Sequence, residues 1–66
     1  MTPKFPQVSV RLSGTDSNAF AVMGATMKAM KRAKLSQSEV DAYSVEAMSG
    51  DYDNLLRVTM ETVNVE

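Results

Sequence analysis

A chain of 66 residues with no cysteine and no histidine has to hold itself together by packing alone. Disulfides are impossible, a thiolate metal centre is excluded, and the commonest transition-metal ligand is missing. Domains this short bury a thin core and are marginally stable. Those without a covalent or metal staple often gain one by association. The expectation is one domain spanning residues 1–66 that pairs with a second copy, a homo-oligomer with a dimer favoured. An apolar fraction of 44% suits a folded domain rather than a disordered one.

Periodicity divides the chain into five elements. Residues 1–6 hold Pro3 and Pro6 and read as an extended lead-in. Residues 7–12 alternate, with Val8, Val10 and Leu12 on one side and Ser9 and Arg11 on the other, the pattern of a half-buried strand. Residues 13–18 (Ser-Gly-Thr-Asp-Ser-Asn) are turn formers, with Asp16 or Ser17 placed to cap a helix. That helix spans residues 19–34. Phe20, Met23, Met27 and Met30 form its expected buried stripe, with Ala19 and Ala33 extending it. Gly24, inside the helix, predicts a close approach of another element.

Ser36 and Glu39 make a capping box, flanked by Leu35 and Val40 as a hydrophobic staple. A second helix follows, from Gln37 to about Met48, burying Val40, Tyr43, Ala47 and, at its limit, Met48. Ser49-Gly50 ends it, with Gly50 expected in the left-handed conformation. Asp51 caps a third helix and Asp53 suits its dipole, while Leu55, Leu56, Thr59, Met60 and Val63 supply the buried face. Residues 62–66 alternate again and are β-branched, which favours a short terminal strand. The fold class expected is α+β: an N-terminal strand, three helices and a short C-terminal strand, with the helices on one face of a small sheet. The terminal strand should pair with residues 7–12 or with its equivalent in another copy. Such pairing would also cover a bare strand edge.

The chemistry is mostly absent. Without histidine or cysteine the usual general base and the best nucleophile are missing, so no catalytic residue is assigned and no enzyme is expected. Asp51-Tyr52-Asp53-Asn54 is only a fragment of a calcium loop, and capping explains its carboxylates more cheaply. No metal and no cofactor is expected. Residues 13–18 lack the glycines and lysine of a phosphate loop.

Seven basic and eight acidic residues leave a formal charge of −1, too even for a general nucleic-acid binder. The charges are nevertheless segregated. Lys28, Lys31, Arg32 and Lys34 cluster near the end of the first helix, where they offset its dipole or meet an anionic partner. Glu39, Asp41, Glu46, Asp51 and Asp53 follow with no intervening base. The candidate interaction surface is therefore Arg11, Lys28, Lys31 and Arg32, together with Asp51, Tyr52 and Asp53. Six methionines, three of them on one stripe, fit an irregular core or an adaptable interface. No membrane segment is expected, nor a signal peptide, because residues 1–10 carry only Lys4 and no long apolar run. A cytoplasmic location follows as the default.

Residues 8–20 (Val-Ser-Val-Arg-Leu-Ser-Gly-Thr-Asp-Ser-Asn-Ala-Phe), Gly24, residues 49–56 (Ser-Gly-Asp-Tyr-Asp-Asn-Leu-Leu) and the closing Val63-Asn64-Val65 resemble a family of small bacteriophage and prophage proteins. The resemblance runs from Phe5 to Val65, with islands at residues 14–20 and 49–56. It brings no activity, so no functional residue is carried over. The chain departs from the family's pattern at Lys34, where a glycine is expected at the helix end. What the resemblance implies is a setting: a viral accessory protein inside a bacterial cell. The leading expectation is a small oligomeric module that binds and modulates a host or viral protein. The alternatives are an oligomer that holds a nucleotide-like anion between subunits, near the start of the first helix, and a structural or assembly component.

Overall fold

The two ends of the chain meet as neighbouring strands. In the computed structural model, which describes residues 2–12 and 18–66, β1 (Phe5–Val10) lies parallel to β2 (Val63–Val65). Between them run α1 (Ala19–Arg32), α2 (Gln37–Ala47) and α3 (Tyr52–Thr62). Parallel strands require a long crossover, and here the whole helical layer supplies it. This is the expected α+β order, with the terminal strand paired inside its own chain. The Lys4 N–H donates to the Glu61 carbonyl at 2.8 Å, and the Glu66 N–H to Val10 at 2.8 Å, so both ends of the pairing are anchored.

β1 begins two residues earlier than its alternation predicts. Phe5 and Pro6, expected in the lead-in, belong to the strand, and the register breaks between Phe5 and Ser9. A proline at the start of an edge strand is tolerated because it need not donate. Val8 and Val10 are buried under the helices, and Gln7, Ser9 and Arg11 are exposed.

The helix starts follow local side-chain chemistry. Asn18, not Asp16 or Ser17, caps α1 by accepting the Ala21 N–H at 2.8 Å; those two residues lie outside the described residues. Ser36 and Glu39 close the capping box as expected, the Ser36 N–H reaching Oε1 of Glu39 at 2.9 Å. Asp51 caps α3 through the Asn54 N–H at 2.9 Å.

The buried faces differ from expectation on two helices. On α1 they are Val22, Met23, Thr26 and Met30, while Phe20 is 79% exposed and Met27 half-buried. On α3, Val58 and Thr62 join Leu55 and Thr59, and Met60 points outward. Three core threonines each return their hydroxyl to a carbonyl one turn back: Thr26 to Val22, Thr59 to Leu55 and Thr62 to Val58. That local bond is how a hydroxyl is buried without an orphan proton. Met48 lies just beyond α2 and is 62% exposed.

The glycine expectations are reversed. A Cβ on Gly24 would meet nothing within 4 Å, so no close approach occurs there. Gly50 does not adopt positive φ; instead its Cα lies against Asn54, whose Cβ would be 2.9 Å from an added Cβ. Among the described residues it is Lys34 that is left-handed, at φ 65°. It closes α1 with paired bonds, Lys34 N–H to Lys31 and Leu35 N–H to Met30. This is the arrangement in which glycine usually sits.

Candidate functional site

The sequence-derived surface separates into two places on opposite ends of α1. At its C-terminal end, Lys28 and Arg32 line a groove with Arg11 of β1. Residues 28 and 32 are one turn apart and share a helix face. Ala25, Ala29 and Ala33 repeat at the same spacing beside them. Their small side chains leave space beside the strand unfilled, and a groove of ≈ 420 Å³ remains between helix and strand. The rest of its wall is Gln7, Val8, Ser9 and Val10; among the described residues no carboxylate lines it. Lys31 turns to the adjoining shallow surface with Gly24 and Met27.

The bases are thus not only a helix-end feature. Lys31 and Arg32 occupy the last turn and offset the helix dipole. Arg11, however, comes from the strand, and Lys28 lies a turn earlier. The start of α1, expected near a bound anion, is roughly 20 Å along the axis from Arg32 at 1.5 Å per residue.

At the N-terminal end of α1, Phe20 and Met23 face Met48, Tyr52 and Leu55 around a hollow of ≈ 240 Å³. Phe20 is 79% exposed, Met48 62% and Tyr52 40%. Asp51 borders the same hollow, but its carboxylate is occupied with the α3 cap. Asp53 is exposed in the first turn of α3 and lines neither place. Phe20 and Met48 were assigned to buried faces by periodicity, which cannot tell a core stripe from an interface stripe.

A third recess, of ≈ 400 Å³, holds Glu39, Glu46 and Glu61 with Lys4, Phe5 and Tyr43. Glu39 is held below the ordinary carboxylate range, first by the Ser36 N–H, then by the Ser36 hydroxyl, with a smaller contribution from Lys4. The cause is a helix cap, not a reactive site. Among the described residues no three carboxylates gather closely enough to hold a metal ion, and no helix is long and apolar enough to cross a membrane.

No protein-family model, curated protein or solved structure matches this chain.

Proposed function

We propose that this chain is a non-catalytic accessory module of the phage type, which pairs with a second copy and modulates a host or viral protein. The reading rests on the patch of Phe20, Met48 and Tyr52 around the apolar hollow. Small monomers rarely leave large side chains gathered in one exposed place unless a surface covers them. Aromatic rings and methionine are the side chains that protein interfaces favour. The lack of histidine and cysteine supports binding over catalysis. Self-pairing through this patch would also thicken a core that is thin in one copy.

Analytical sedimentation tests the reading. The wild-type chain should show concentration-dependent dimerisation, and Phe20→Ser with Met48→Gln should be monomeric with unchanged circular dichroism. A wild type that stays monomeric at high concentration removes the self-pairing.

A second reading is retention of a nucleotide-like anion by Arg11, Lys28 and Arg32, which is favoured by their meeting in one groove. A thermal-shift series with nucleotides tests it, since a true ligand stabilises by mass action.

A further inference from the structure

We propose that the groove beside β1 receives an extended acidic peptide segment, which adds to the sheet as a further strand. The inference is independent of the apolar patch, because a different surface carries it.

Three observations converge. First, the sheet has two strands among the described residues, and β2 occupies only one edge of β1. The Glu66 N–H bonds the Val10 carbonyl and the Leu12 N–H bonds the Glu66 carbonyl. Backbone direction alternates along a strand, so the N–H and carbonyl of Ser9 point to the other edge, into the groove. A bare strand edge is a template for an incoming strand.

Second, the alanine stripe of α1 leaves space beside that edge instead of covering it. Third, the space carries one sign of charge. Lys28 and Arg32 stand on the helix wall and Arg11 on the strand, with no carboxylate among the described residues that line it. Among the described residues, no side chain bonds to or pairs with the side chain of Lys28 or Arg32. A strand added here would turn alternate side chains toward α1, where glutamate or aspartate meets the two cations.

The same charge disfavours a second copy in this place. Two-fold pairing of β1 with another β1 would bring both sets of bases to one seam, and like charges across an interface are costly. An acidic strand is the complementary occupant.

Fluorescence anisotropy on the intact chain tests this, with a labelled alternating threonine–glutamate peptide as probe. Saturable binding that weakens as salt is raised is expected, and the alternating threonine–lysine peptide should not bind. Lys28→Glu combined with Arg32→Glu should weaken binding by about tenfold or more. N-methylating alternate residues of the acidic peptide, in both phases, keeps its charge but removes one row of amide donors. One phase should lose about tenfold on the wild-type protein. Ser9→Pro, tolerated on an edge strand, should do the same with circular dichroism unchanged.

The proposal is overturned by no saturable binding of the acidic peptide. Equal binding of both N-methylated phases also overturns it, as does equal competition by a single-stranded oligonucleotide, which would mark a general polyanion surface. Self-association that Ser9→Pro abolishes would show the edge to be a copy-to-copy contact instead, and would equally overturn it.

Discussion

Replacing Thr59 by valine should cost more than removing the tyrosine hydroxyl that meets it. The Thr59 hydroxyl oxygen is 2.8 Å from the Leu55 carbonyl and 2.8 Å from the Tyr43 hydroxyl. A carbonyl only accepts, so the single threonine proton goes to Leu55. Tyr43 must then be the donor to Thr59. Both side chains are out of solvent, Tyr43 at 3% and Thr59 at 0% exposure. Tyr43→Phe removes the donor and leaves Thr59 bonded to Leu55. The loss is one net hydrogen bond, about 0.5–1.5 kcal/mol.

Thr59→Val is nearly isosteric but leaves the buried Tyr43 proton facing a methyl group, about 1–3 kcal/mol. The double variant leaves neither group stranded and should return close to Tyr43→Phe alone. The pair should therefore be non-additive by about 1–3 kcal/mol. Urea unfolding followed by circular dichroism measures all three. In a domain of this size about 1 kcal/mol moves Tm by about 4–8 °C. A Tyr43→Phe variant less stable than Thr59→Val, or strict additivity, would refute the assignment of donor and acceptor.

The remaining predictions concern the turns and caps. Lys34→Gly should stabilise the chain by about 0.5–1 kcal/mol, since the left-handed conformation costs an L-residue about 1–2 kcal/mol and part of that is offset by glycine's unfolded-state freedom; thermal unfolding checks it. Gly24→Ala should raise stability by about 0.5–1 kcal/mol, because the added methyl meets nothing and alanine is the better helix former. Gly50→Ala should lower stability: Asn54 lies 2.9 Å from the new carbon and is held by bonds to Glu46 and Arg57. Glu39 should titrate below its ordinary 4.5 by NMR. Its folded-state pKa is depressed, so the cap's contribution is present above the unfolded pKa and is lost as pH falls through the folded one. A Ser36→Ala variant should return the titration toward the ordinary value.

Features that depend on a few neighbouring residues were legible in the sequence. Ser36 with Glu39 and Asp51 with the Asn54 N–H cap their helices because side chain and amide lie within one turn. The β-branched alternation at both ends announced two strands. What the sequence left open was which face turns inward. α1 carries apolar residues nearly all round, including Phe20, Val22, Met23, Met27 and Met30, so its periodicity admits more than one stripe. Counting threonine as polar hid Thr26, whose buried hydroxyl is satisfied by Val22.

Tertiary structure decided the rest. The parallel pairing of β1 with β2 depends on a crossover that no local window contains. Lys34, Gly24 and Gly50 show the same division. A residue's name gives its conformational freedom, but the surrounding chain determines whether that freedom is used. The basic helix end could be read from residues 28–34, whereas its meeting with Arg11 beside an open strand edge could not. That meeting joins residues far apart along the chain, and only the packing of α1 on β1 brings them together.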